Sequence, residues 1–504
     1  METAPSINLA SSSPRRGLVS VRRTSVIVAA MTLLLHAGEV SAQPDRSGPP
    51  KLGPPPSLRL PPIRHLALSN GIKVLLLEKH DVPLVQVDLV IRAGALMDPE
   101  GKTGLASMTA SMLTEGAGSR NALEFADAID FLGAEISATS GFSITGISLH
   151  TPLTKLDSAL ALLADVTRRP LFPAGELERL RKERLTSLVE WREEPRMLAS
   201  ILFNHTLYGE HPYGRPLGGT AASLRGMTVD DLKKFHDGYI VPGNSTIIVV
   251  GDVTGDEMIR KLERAFGDWT GEPAPAPHVP AISQLKAKSV LFVDKPGAAQ
   301  SVIEIGRVGV PRMTDDYYAI VVMNTILGGS FTSRLNMNLR EKHGYTYGAG
   351  SRFEFRPLSG PFVASASVQT AVTDSSLVEF ANELKGILKP IPPSDVERAK
   401  NYVALGFPAD FQSVGQIATQ LEELVIYGLP DDYFNRYTER ILAVTPADVE
   451  RVARKYINLD NLAFVIVGDR KEVGRSVTAL KIAPEKFLTV EDVLGPAPVI
   501  EEGK

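Results

Sequence analysis

Metal-dependent hydrolysis needs clustered imidazoles or carboxylates, and this 504-residue chain does not offer them by spacing. Its nine histidines stand at 36, 65, 80, 150, 205, 211, 236, 278 and 343. No two lie four residues apart, so no zinc site can be assembled from their spacing. Each is expected to be a surface or capping residue. There is no cysteine, which excludes a disulfide framework, a thiolate zinc site, an iron–sulfur cluster and a cysteine nucleophile. No Walker loop, no GxGxxG after a strand, no GxSxG, no EF-hand loop and no HExxH occurs. The stretch GLASMTASMLTEGAG (104–118) is different in kind. Leu105, Met108 and Met112 recur at helical spacing and form one apolar stripe. Ser107, Ala110 and Ser111 lie off that stripe, and Ser107 and Ser111 share a face. The two hydroxyls could act as nucleophiles only beside a base, and the sequence places no His or Lys to activate them.

The elements that carry this helix follow from composition and repetition. Hydrophobic residues make up 43% and charged residues 22%, ordinary for a globular protein, and the net charge of −4 leaves no basic footprint for nucleic acid. Arg15, Arg16, Arg22 and Arg23 precede the apolar run VIVAAMTLLL (26–35), and VSA (40–42) supplies the small residues of a cleavage site. Residues 1–42 therefore read as a secretory signal peptide cut after Ala42, which places the mature chain in a bacterial periplasm. The apolar run is too short for a comfortable membrane span, and no stable membrane insertion is expected after cleavage. A Pro-rich tether (43–62) follows, and a second Pro-rich stretch begins a linker (271–288) near the middle of the chain.

The halves flanking that linker are related. TVDDLKKFHDGYIVPGNSTIIVVGD (228–252) and TPADVERVARKYINLDNLAFVIVGD (445–469) align without a gap. Thr228/Thr445, Asp231/Asp448, Tyr239/Tyr456, Asn244/Asn461 and the closing Val-Gly-Asp are identical. Both read as a Thr-capped helix, a turn at Asn and a buried strand. Each half also opens on a strand pair, at 71–94 and at 289–309. The chain is thus a duplication of one unit. Strands, then helices, then strands predict an α+β fold with domains at 63–270 and 289–480 and a tail at 481–504.

Four stretches carry a resemblance to the insulinase/pitrilysin zinc peptidases, the inverzincins, in their two-domain bacterial form. They are RAGALMDPEGKTGLASMTASMLTEGAG (92–118), ELERLRKERLTSLVEWREEP (176–195), LYGEHPYGRPLGGT (207–220) and GGSFTSRLNMNLREKHGYTYGAGS (328–351). The resemblance implies two homologous α/β sandwich domains of the mitochondrial-processing-peptidase type, facing each other across a cavity. In that family the helix reads roughly G-x-A-H-x-x-E-H-M-L. Gly104, Ala106, Met112 and Leu113 fit that pattern here, but the two His positions hold Ser107 and Ser111. The general-base Glu position holds Ala110, and the third ligand, a later Glu, falls at Ser187. Serine hydroxyls do not replace those donors, so the resemblance implies no zinc in this chain.

The same resemblance implies that the C-terminal domain contributes an Arg and a Tyr seven residues apart to a bound substrate. Arg340 and Tyr347 stand at that spacing, Arg340 near the end of a helix expected over 331–342 and Tyr347 on a strand expected from Tyr345. A guanidinium and a phenol aimed at an oxyanion are preorganised donors for a tetrahedral intermediate. The function expected from these features is the non-metal subunit of a heterodimeric periplasmic zinc endopeptidase. It would pair with a homologous subunit that bears HxxEH and the zinc, and act on a peptide or unfolded polypeptide. The alternative is a catalytically inactive member serving as a peptide-binding or scaffold subunit.

Overall fold

Thr228 and Thr445 each start a helix by the same device. The threonine hydroxyl accepts from the backbone N–H three residues on, and the Asp there accepts back from the threonine N–H, at 2.8 Å for Asp231 and 3.1 Å for Asp448. Each helix leads, through a turn at Asn244 or Asn461, into a strand buried along its whole length. The repeat in the sequence is therefore a repeat in space, and the rest of the fold is built around it.

The computed structural model describes Gly53 and residues 58–499. The expected signal peptide (1–42) and nearly all of the expected tether (43–62) lie outside the described residues. Everything below concerns the unit Pro55–Lys504.

In the first half the strands are β1 (Arg64–Ala67), β2 (Lys73–Glu78), β3 (Leu84–Ile91), β4 (Glu135–Ser140), β5 (Thr145–Pro152) and β6 (Ser245–Gly251), in the order β1-β2-β6-β3-β5-β4. In the second they are β7 (Ser289–Asp294), β8 (Gln300–Val308), β9 (Thr346–Phe353), β10 (Pro361–Gln369), β11 (Ala463–Gly468) and β12 (Glu485–Leu488), in the order β12-β7-β11-β8-β10-β9. The repeated strands β6 and β11 take the same place. Each runs parallel to the first long strand of its half and antiparallel to the second. Residues 271–288 join the two sheets without helix or strand.

The helices that matter for the site are α1 (Leu105–Met112), α2 (Ala174–Glu190), α3 (Pro195–Tyr208) and the capped α4 (Val229–Tyr239) in the first half. In the second half they are α5 (Val414–Tyr427), the capped α6 (Pro446–Tyr456) and the short α7 (Val490–Leu494). Strand alternation sends Ile247 and Val249 of β6 to one face, and Ile248 and Val250 to the other. The first pair packs with Leu105, Met108 and Met112 of α1. The second pair is covered from the opposite half, by Val414, Ile417, Ala418 and Leu421 of α5.

The exchange is reciprocal. Leu198, Leu202 and Phe203 of α3 lie on Val302, Val465 and Val467 of the second sheet. Burying such side chains contributes about 1.5–3 kcal/mol each, so neither sheet completes its core without a helix from the other half. Polar contacts cross the same boundary. Arg92 Nη2 donates to the Val425 carbonyl at 2.9 Å, and the Tyr208 hydroxyl donates to the Ser359 carbonyl at 3.1 Å.

Two expectations are corrected. Residues 481–499 are not a loose tail. Phe487 and its neighbours pair in parallel with β7 as β12, where the first half instead has the antiparallel β1. Beyond it α7 is held by Arg192, which bonds Glu491 and donates to the Gly495 carbonyl at 2.8 Å. The sequence lacks a breaker strong enough to announce this, because a four-residue edge strand leaves almost no periodicity. The helix expected over 331–342 is also different. A short helical segment at Arg334–Asn336 passes into a π-helical turn, Met337–Lys342.

Candidate functional site

Helix α1 begins at a glycine for a steric reason. Gly104 has φ 87°, and a Cβ there would meet the Gly219 backbone nitrogen at 2.6 Å. The loop after α3 therefore lies directly on the start of α1. Asp98 caps that start, accepting from the Gly104 N–H at 2.7 Å and the Ala106 N–H at 2.8 Å. Burial pushes its carboxyl up to about 6 despite those bonds.

Ser107 and Ser111 lie on one face of α1, as their spacing predicts, and Ala110 is buried. The Ser111 hydroxyl donates to the Ser107 carbonyl at 3.1 Å. Ser187 lies on α2, near its C-terminal end. The group that joins the two helices is one the sequence reading passed over. Arg184, one turn before Ser187 on α2, donates from Nη2 to the Ser107 carbonyl at 3.0 Å and to the Ser111 hydroxyl at 2.8 Å. Its second terminal nitrogen, Nη1, is buried without a hydrogen-bond partner. Among the described residues no carboxylate pairs with it, and burial alone pulls the guanidinium below its usual range. In the sequence Arg184 is one charge in the run RLRKER, and only its i−3 spacing from Ser187 could have drawn notice.

Zinc does not fit here. A cation already stands between α1 and α2, and the neighbouring donors are neutral hydroxyls. Among the described residues no group of three or more His, Asp or Glu side chains is placed to hold a metal ion. Nor do the serines form a nucleophilic site: Ser111 is engaged by Arg184, and no histidine bonds to either hydroxyl among the described residues. Of the histidines expected at the surface or as caps, His211 is a buried cap and His236 is buried without capping a helix. His211 accepts from the Tyr213 N–H at 3.0 Å, and His236 bonds the Thr167 carbonyl at 2.9 Å.

Arg340 lies in the π-helical turn, where the His343 N–H reaches back five residues to the Asn338 carbonyl at 3.1 Å. Such turns shift the register of a helix by one residue and recur at functional sites. The turn is anchored by Asn338, which donates to Glu379 at 2.8 Å and Glu383 at 2.7 Å. Arg340 stacks over Phe331 at 4.6 Å and touches one acid, its neighbour Glu341, at 3.4 Å. Tyr347 falls in a bulge of β9, between Thr346 and Ala349, and is 90% exposed. The strand starts at Thr346, so Tyr345 precedes it and packs against His343. No hydrogen bond or ion pair links Arg340 or Tyr347 to α1 or α2 among the described residues.

Beside Tyr347 a cleft of about 340 Å³ opens over the small residues Gly348, Gly350 and Ser367, flanked by Arg196, Glu304 and Arg352. Glu304 lies opposite Val465 as Asp88 lies opposite Ile248 in the first sheet, so the duplication retains a buried acid at one register position. Burial drives Glu304 up to about 7 and raises Asp88 as well.

Two sheets of one order, a repeated capped helix and strand, and a helix with hydroxyls where metal donors would stand define a duplicated two-domain α/β protein without the donor set of a metallopeptidase at that helix. Comparison with known proteins agrees. Residues 73–221 match the profile described as insulinase (peptidase family M16), and residues 226–403 match that described as the peptidase M16 inactive domain. The chain belongs to the insulinase (M16) family. An uncharacterized zinc protease of Rickettsia bellii is 23% identical over 79% of this chain and 96% of its own length. The non-peptidase homolog YmxG of Helicobacter pylori is 22% identical over 80% of this chain and 93% of its own. The crystal structure of a peptidase M16 inactive domain from Pseudomonas fluorescens superposes with a TM-score of 0.76 at 27% identity, covering 81% of this chain and 98% of that one. By its residues this chain is an inactive member, with Ser107, Ala110, Ser111 and Ser187 where catalysis would need donors and a base.

Proposed function

We propose that this chain is the non-metal subunit of a periplasmic zinc endopeptidase, paired with a homologous subunit that carries HxxEH and the zinc. One observation carries the reading. A chain without metal donors presents Arg340 and Tyr347, seven residues apart, on a π-helical turn and a strand bulge, with Tyr347 exposed and unbonded. A pure packing role gives no reason for a phenol left 90% exposed, nor for a guanidinium stacked on an exposed Phe331. In the pair, these two side chains would donate to the carbonyl oxygen of a polypeptide held at the partner's metal and to the charge that develops on it. The export signal read in residues 1–42 supports a periplasmic location.

The test is reconstitution. The purified chain is mixed with an HxxEH-bearing homologue from the same genome, and cleavage of an unfolded polypeptide is followed. Cleavage by the mixture, with none by this chain alone, supports the proposal. A homologue equally active by itself refutes it. A second reading, a binding or scaffold subunit without proteolysis, is favoured by the relative named a non-peptidase homolog. It predicts association without any gain in activity.

A further inference from the structure

A guanidinium enclosed by protein without an acid is costly, and buried arginines are ordinarily paired with carboxylates. Arg184 is half-buried and has no such partner among the described residues. Its Nη2 is used by one carbonyl and one hydroxyl, and its Nη1 is buried with no acceptor. No described carboxylate lies within ion-pair reach. Around it the two remaining hydroxyls, those of Ser107 and Ser187, donate to no described residue, and both serines are partly exposed. The arrangement is thus a cation with unspent hydrogen-bonding capacity at Nη1, set between α1 and α2 against the Ser111 hydroxyl and the Ser107 carbonyl, with the partly exposed Ser107 and Ser187 on the same two helices. Each unsatisfied polar group in a folded protein calls for a partner.

We propose that Arg184, with Ser107, Ser111 and Ser187, is a carboxylate-binding site, and that the ligand is the carboxylate of a peptide. A guanidinium presents parallel N–H groups that match the two oxygens of a carboxylate, and serine hydroxyls complete the oxygens' remaining acceptor positions. A carboxylate supplies the acceptor that Nη1 lacks and neutralises the charge between α1 and α2. The site deepens the peptide-holding part of the function proposed above and needs no partner subunit.

Matched short peptides titrated against the full chain test this. Trp191, one turn beyond Ser187, serves as the fluorescent reporter in a Trp269→Phe background. The probes are acetyl-trialanine as the free acid, the same peptide as its amide, and an amide with a central glutamate. The free acid is expected to bind at least ten-fold more tightly than the plain amide. If the glutamate amide matches the free acid, side-chain carboxylates are also taken; if it matches the plain amide, the site reads chain termini, and both results support the proposal. Arg184→Gln should reduce the acid to the level of the amide. Ser187→Asp places a carboxylate one turn from Arg184; it should abolish the preference and raise the melting temperature, which keeps the test decisive if Arg184→Gln folds poorly. Acid and amide binding alike, no binding of either, or a preference that survives Ser187→Asp overturns the carboxylate site. None of these results touches the reconstitution test, which reads activity of the pair.

Discussion

If Arg184 stands where a metal would, rebuilding the donors should rebuild only a weakened metal site. Consider Ser107→His, Ala110→Glu, Ser111→His and Ser187→Glu together, which writes the family's donors and base into this scaffold. A zinc held at about 2.0 Å from an imidazole at position 111 would lie close to the guanidinium, since Arg184 Nη2 is 2.8 Å from the Ser111 hydroxyl. At a separation of about 5 Å and an effective dielectric of about 20, a divalent ion and a guanidinium repel by roughly 7 kcal/mol. The new glutamates offset part of this; if a third remains, about 2 kcal/mol, affinity falls roughly thirty-fold. The quadruple variant should therefore hold zinc roughly thirty-fold more weakly than the same variant with Arg184→Leu, and lose it first as zinc in the dialysis buffer is lowered. Elemental analysis after gel filtration measures both. Zinc held equally tightly with Arg184 in place would refute the argument, as would failure of the variant with Arg184→Leu to bind.

In the reconstituted pair, Tyr347→Phe should lower kcat by roughly 10²–10³-fold, the cost of one oxyanion donor, and Arg340→Lys should also fail, while Tyr345→Phe stays near wild type. Steady-state kinetics with unchanged assembly by gel filtration checks this, and full activity of Tyr347→Phe would return the pair to packing. Glu304 titrates at about 7 in the folded chain against an ordinary 4.5. Its folded form holds the proton more tightly, so stability is lost as pH rises from about 4.5 to about 7, by on the order of 3 kcal/mol for this group. Glu304→Gln should remove that part of the pH dependence in denaturant melts and stabilise the chain at pH 8. Phe203→Ala empties a fully buried position on α3. It should cost about 3–5 kcal/mol and lower one shared calorimetric transition rather than splitting off the second half.

How far the sequence disclosed this molecule depends on how local each feature is. The Thr cap, the Asn turn and the Val-Gly-Asp strand end are written within twenty-five contiguous residues, so the duplication and the positions of β6 and β11 could be read directly. The loss of metal donors is equally local on α1. Arg184 was not legible because its partners are more than seventy residues away, and nothing in RLRKER separates an inward arginine from its solvated neighbours. The π-helical turn under Arg340 keeps a helical apolar pattern, so periodicity could not tell it from an ordinary helix. The exchange of α3 and α5 was also hidden. An amphipathic helix states that it needs an apolar surface, not which sheet supplies it.

That exchange has a bearing on how the chain comes into being. When β6 has left the ribosome, the face formed by Leu75, Leu77, Val90, Ile248 and Val250 has no cover until α5 follows, roughly 175 residues later. At ordinary elongation speeds of about 5–20 residues per second this is an interval of some ~10–35 s. For that time the nascent first half is a sticky, half-finished object that cannot settle. Such a delay would suit export, because a translocation channel takes an unfolded polypeptide. The late arrival of one helix would act as a timer, leaving the first half unfinished until Val414–Tyr427 has been made.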